Sequence, residues 1–121
     1  MDIMDKLKIE SWLEKHNVTR YVINEDLSVD VKGTVYLSYK HLQSIPIKFR
    51  NVSGSFFCSN NNLISLEGCP ENVGKDFICS FNKLAGLDGC PTNTMWHTQQ
   101  RSQFILTTIK VIINTYRTIF Q

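Results

Sequence analysis

The chain has 121 residues, enough for one domain and too few for a second with its own core. Hydrophobic residues make up 42% and charged residues 20%, and 13 basic against 11 acidic side chains leave a net charge of +2. That balance excludes a disordered polyelectrolyte and a strongly basic nucleic-acid arm. The opening MDIMDKLKIE is rich in charge and has no apolar run, and no stretch approaches the roughly 18 apolar residues of a membrane span. The expectation is a single cytoplasmic domain with no membrane and no nucleic acid as partner.

In chain order, Met4 to Lys15 reads as an amphipathic helix with Leu7, Trp12 and Leu13 among its apolar residues, ending near Asn17. Leu27-Ser28-Val29-Asp30-Val31 then suggests a strand, and Lys32-Gly33 a turn. Residues 1–30 together would form an N-terminal cap.

From residue 31 an internal repeat takes over. Residues 31–51 read VKGTVYLSYKHLQSIPIKFRN, 52–72 read VSGSFFCSNNNLISLEGCPEN and 73–93 read VGKDFICSFNKLAGLDGCPTN, three units of 21 without insertion. Equivalent positions hold Val35, Phe56 and Phe77; Leu37, Cys58 and Cys79; Ser38, Ser59 and Ser80; Leu42, Leu63 and Leu84; and Asn51, Asn72 and Asn93. Units two and three share Asn61 and Asn82 and a Gly-Cys-Pro corner, whereas unit one has Lys40 at the Asn place and Ile45-Pro46-Ile47 before its corner.

Within a unit the pattern is apolar-x-apolar-x-x-Asn-x-Leu-x-x-Leu. Alternation at Phe56-Phe57-Cys58 has the period of a strand, so Phe56 and Cys58 point inward and Phe57 outward. Leu63 and Leu66, three apart, require a turn or short helical arc to return both to the same interior, and Gly68 and Pro70 mark the next corner. One strand per unit is expected, stacking into a small parallel sheet about 4.8 Å from rung to rung. Asn61 and Asn82 are expected to satisfy backbone groups at the turn.

After Asn93 the repeat stops. Residues 94–121 hold no acidic residue and carry +3 from Arg101, Lys110 and Arg117, against 10 − 11 = −1 for the rest. Ile105, Ile109, Ile112, Tyr116 and Ile119 share one helical face and Thr107, Lys110, Asn114, Arg117 and Gln121 the opposite one. A C-terminal capping helix is expected, with a strand or an interfacial or partner helix as alternatives.

The repeats resemble those of small leucine-rich-repeat proteins encoded by bacteriophages and some bacteria, whose units run close to "VGGDFxCSxNxLTSLEGCP". FFCSNNNLISLEGCPEN and DFICSFNKLAGLDGCPTN carry the likeness most closely, and WLEKHNVTRYVINEDLSVDVKG is similar to the lead-in of such proteins. The resemblance implies an α/β fold built as a short leucine-rich-repeat solenoid, with an N-terminal helical cap. By analogy it implies a protein-binding role, against a host bacterial factor if the chain is phage-encoded. Residues 94–121 depart from the pattern and have the look of a frame-shifted tail.

No enzyme is expected. The spacings of Cys58, Cys69, Cys79 and Cys90 are 11, 10 and 11, without Cys-x-x-Cys, so buried reduced thiols explain them better than a metal or a disulfide. His16, His41 and His97 have no nucleophile or carboxylate at a recognisable motif spacing, and no glycine-rich phosphate loop occurs, so no cofactor is expected. The informative positions face outward: Tyr36, Phe57 and Ile78 between the buried strand residues, and Tyr39, Asn60 and Phe81 just after each strand. Such a stripe on the concave sheet face suits a protein partner, with cover by the tail or a second copy as alternatives. The other reading is a self-associating structural protein that uses the C-terminal helix and the unpaired edge of the last coil near Asp76 to Ser80.

Overall fold

The first apolar segment that can bury a face is the N-terminal helix, and the elements described after it are short strands. The computed structural model describes residues 3–86, 89–91 and 93–94. Among these the order is α1 (Ile3–Lys15), β1 (Tyr21–Ile23), β2 (Val29–Val31), β3 (Val35–Tyr36), β4 (Phe49–Val52), β5 (Phe56–Phe57), β6 (Asn72–Val73), β7 (Phe77–Ile78) and β8 (Asn93–Thr94). The helix expected in residues 94–121 lies outside the described residues, save that Thr94 belongs to β8.

Helix α1 stops where Asn17 enters the left-handed region at φ 59°. The Val18 N–H donates to the Leu13 carbonyl at 2.8 Å and the Asn17 N–H to the Glu14 carbonyl at 3.1 Å, the two bonds of a Schellman closure. Leu13 and Val18 are buried, with Ile9 and Trp12 packed beside them. Leu7 is not on that face and stays 52% exposed. The reason is angular: Ile9, Trp12 and Leu13 make a stripe at spacings of three and four, and Leu7 lies two residues before it, across the helix.

The strands form two sheets. A parallel three-stranded sheet has the order β3-β5-β7, with Val35 beside Phe56 beside Phe77 and Tyr36 beside Phe57 beside Ile78. A mixed five-stranded sheet has the order β1-β2-β4-β6-β8, where β1 and β2 are antiparallel and the others parallel. The result is an α/β fold with one described helix and two small sheets. The expectation of one strand per unit is therefore corrected to two. β4, β6 and β8 occupy what reads as a corner, because strands of two to four residues are too short for a period of two to show. β1 was likewise not anticipated.

The two sheets share one core. Phe49 of β4 meets Phe56 of β5 edge-on at 5.3 Å, and Phe56 stacks on Phe77 at 6.0 Å. Leu37, Leu63, Leu66, Val52 and Val73 are fully buried in the same cluster. Leu63 and Leu66 reach it by turns and bends, with no helical arc between them. At the following corner Gly68 has φ 92°, and a Cβ there would lie 2.7 Å from the Ile47 carbonyl oxygen, so both the backbone angle and the close approach require glycine.

Asn61 and Asn82 are 7% and 6% exposed and work between units as well as within them. The Asn61 Nδ2 donates to the Leu37 and Cys58 carbonyls at 2.8 and 3.1 Å, while its Oδ1 accepts the Lys40 and Leu42 N–H groups, both at 3.0 Å. Asn82 repeats this one unit later on Cys58, Cys79 and Leu63. Unit one thus tolerates Lys40 in place of Asn, because Asn61 of the following unit serves its turn.

Candidate interaction surface

Of the six outward residues expected from the repeat, Tyr36, Phe57 and Ile78 lie in the three-stranded sheet, and Tyr39, Asn60 and Phe81 hold one equivalent position in the turns that leave it. Tyr36, Phe57 and Ile78 are register neighbours, and the Tyr36 ring stacks on Phe57 with centroids 5.5 Å apart. Tyr36, Tyr39 and Phe81 are 67%, 74% and 56% exposed. Phe57, Ile78 and Asn60 are half-buried, so the solvent-facing aromatic area comes from the two tyrosines and Phe81.

Tyr39, Asn60 and Phe81 share a backbone conformation that the sequence did not announce. Their φ values are 58°, 57° and 57°, the left-handed region, at one position in all three units. Stacking holds the first two there: the Tyr39 N–H donates to the Ser59 carbonyl at 3.2 Å and the Asn60 N–H to the Ser80 carbonyl at 2.9 Å. Asn accepts this region readily, whereas a tyrosine or phenylalanine crowds its own Cβ against the carbonyl at a cost of about 1–2 kcal/mol.

Beside the strand residues run two hydroxyl ladders. The Ser38 and Ser59 Oγ atoms accept the N–H groups of Ser59 and Ser80 at 3.1 and 3.0 Å. Likewise the Thr34 Oγ1 and Ser55 Oγ accept those of Ser55 and Asp76 at 3.1 Å. Ser80 Oγ is buried and has no hydrogen-bond partner among the described residues.

All four cysteines are free thiols. Cys58 neighbours both Cys69 and Cys79, so the core and corner cysteines meet. Hydrogen bonding to those two thiols and burial push the Cys58 thiol well above its ordinary range. Burial, with the neighbouring Cys79 and Cys69, pushes Cys90 up to about 11. Among the described residues no three His, Cys, Asp or Glu side chains gather in a way that could hold a metal ion. His16 stacks on Trp12 at 3.9 Å, with its Nδ1 2.8 Å from the Trp12 carbonyl oxygen, and His41 is exposed. His97 lies outside the described residues.

A polar centre on the five-stranded sheet went unread. Asp30 accepts hydrogen bonds from Arg50 at 2.7 and 3.2 Å, from Asn24 at 3.2 Å, and from the backbone and side chain of Asn51 at 3.1 and 3.0 Å. The Asn72 side chain donates in turn to Asn51 Oδ1. Burial raises the Asp30 pKa, but these bonds and the Arg50 charge outweigh it and hold the carboxyl below its ordinary value. The group borders a shallow groove of about 480 Å³ lined by Arg20, Val22, Asp30, Lys32, Asn51 and Asn72, among others. Its only sequence signal was the recurrence of Asn at 51, 72 and 93.

No described helix is long and apolar enough to cross a membrane. Comparison of the chain with family models, with curated proteins and with solved structures gives no match.

Proposed function

We propose that the chain is a short leucine-rich-repeat solenoid of the phage and bacterial kind, acting without catalysis or cofactor as a protein-interaction module. In this reading it binds a host bacterial protein in the cytoplasm through the outward side of β3, β5 and β7. The observation that carries the reading is the pair Tyr39 and Phe81. Each is a large aromatic side chain, mostly exposed, on a left-handed backbone that Asn60 occupies at lower cost in the unit between them. Strain of this kind without burial gains nothing for the isolated fold, and it is repaid if a partner buries the rings. Tyr36, stacked on Phe57, extends the same patch.

The test replaces Tyr39 and Phe81 by Asn together. Retention of a host protein on the immobilised chain is expected to be lost, while resistance to urea rises. Undiminished retention rejects this surface.

A further inference from the structure

The outward face of the five-stranded sheet carries a groove that runs across its strands. Val31, Val52 and Val73 are register neighbours and are buried, so the residues on either side of them along each strand point outward. One wall begins with Arg20 and Lys32 and continues in Ser53. The other begins with Val22 and continues through Asp30 to Asn51 and Asn72, and the space between is about 480 Å³, within the range of ligand sites. It stands open in the folded chain: Val22 is 61% exposed, and Arg20 and Lys32 are exposed. The Lys32 N–H donates to the Arg20 carbonyl at 3.0 Å, so two cations face one another across the hairpin, an arrangement that like charges disfavour. Asp30 does not relieve it, since Arg50, Asn24 and Asn51 engage both of its carboxylate oxygens. Among the described residues the one ion pair is that of Arg50 with Asp30, which leaves the charges of Arg20 and Lys32 uncompensated.

We propose that this groove binds the carboxyl terminus of a separate polypeptide. The terminal carboxylate lies between the Arg20 guanidinium and the Lys32 ammonium and neutralises them. β1 is the outer strand of its sheet, so the two cations mark an end of the groove, where an occupant can stop. Its last side chain, if apolar, covers the exposed Val22. The preceding residues cross β2, β4 and β6, where Ser53 keeps one wall low and Asn51 and Asn72 offer amides to peptide groups from the other. From β1 to β6 is three strand spacings, about 14 Å, which an extended segment of about four residues spans. An alkyl carboxylate would meet the same cations but would strip water from the Asn51 and Asn72 amides without replacing the hydrogen bonds, so a peptide is the better occupant. The groove belongs to the five-stranded sheet, whereas Tyr39 and Phe81 leave the three-stranded one, and the site stands independently of that surface.

The probe is N-acetylated Ala-Ala-Ala-Leu with a free α-carboxylate, titrated into the full-length chain and followed through the amide resonances of Val22, Lys32, Ser53 and Asn72. Saturable shifts are expected at these four positions. The same peptide with a C-terminal amide is expected to bind at least about fivefold more weakly, and added salt to weaken the parent peptide in the same direction. Arg20→Gln and Lys32→Gln are each expected to weaken the parent peptide about fivefold, with the urea midpoint not lowered, because each removes one of two opposed like charges. Decanoate, an alkyl carboxylate, is expected to bind more weakly than the peptide. Tyr39→Asn leaves peptide binding unchanged even if it abolishes host-protein retention, so the two proposals fail separately. No saturation at about 10 mM peptide, equal binding of the amide form, equal or tighter binding of decanoate, or full binding by both Gln variants each overturns the proposal.

Discussion

Tyr39 and Phe81 differ from Asn60 in a property that burial alone does not reveal, namely how well each side chain tolerates φ near 57°. Because asparagine bonds locally to the backbone in this region, Tyr39→Asn and Phe81→Asn are each expected to raise stability by about 0.5–1 kcal/mol, read as a higher urea midpoint at unchanged slope. No gain at either position would mean that the exposed rings offset their own strain. The outward placement of both residues was readable from the repeat, since it follows from where the strand ends. Their backbone conformation was not, because nothing in Tyr or Phe signals a left-handed turn. The cysteines offer a second test at this scale. Hydrogen bonding to Cys69 and Cys79, with burial, raises the Cys58 pKa well above its ordinary value, and burial raises Cys90, which reaches half-ionisation only at about 11. The native chain should therefore react slowly with a disulfide reagent at pH 8, with half-buried Cys90 responding before Cys58 as the pH rises. Immediate labelling of all four thiols without denaturant would contradict the burial.

At the scale of elements, the asparagine turns and the β2–β4 pair set the register. Removing the Asn61 amide strips partners from the Lys40 and Leu42 N–H groups and from the Leu37 carbonyl. With about 1 kcal/mol per lost bond and the Cys58 carbonyl included, Asn61→Ala is expected to cost about 4 kcal/mol, and Asn82→Ala about 3 kcal/mol, since its Oδ1 accepts a single N–H. Equal losses in urea unfolding would deny that the additional N–H accepted by Asn61 contributes to stability. Between β2 and β4 the pairing slips, from Val29 beside Phe49 to Val31 beside Val52. Asp30 sits at that irregularity and takes the Asn51 N–H with its carboxylate, in the way a side chain commonly mends a bulged ladder. Its folded pKa lies below the ordinary value of an aspartate, so its contribution is present in full above the unfolded pKa and is lost as the pH falls through the folded one. Asp30→Asn should therefore make stability fall less steeply as the pH drops below the ordinary carboxylate range. A slope identical to the parent would show that other carboxylates govern the acid limb. This centre was illegible beforehand because its members, Asn24, Asp30, Arg50 and Asn51, come from the hairpin and the first unit and meet only when the sheet forms.

Across the whole molecule, what the sequence made legible was whatever repeats. Equal spacing at Val35, Phe56 and Phe77 fixes which residues lie side by side, because a stack of equal units offers each residue its own counterpart as neighbour. What occurs once was harder to read: the β1 strand, the unburied Leu7, and Phe49, which fills the core at a place held by Pro70 and Pro91 in the later units. Among the described residues the ends differ accordingly, with α1 and β1 at one and β7 and β8 as the last strands at the other. In the proposed solenoid each unit contacts only its neighbours, so damage at the helical cap should spread inward in order. Leu13 is completely buried there, and Leu13→Ala is expected to cost about 3 kcal/mol. The loss should speed amide exchange first at Val35 and Leu37, whose N–H groups bond to Ser55 and Phe57, and later at Phe56 and Cys58, bonded to Asp76 and Ile78. Exchange that accelerates equally at both rungs would mean that the units open together, with cooperativity carried by the core shared between the two sheets and not by contacts from one unit to the next.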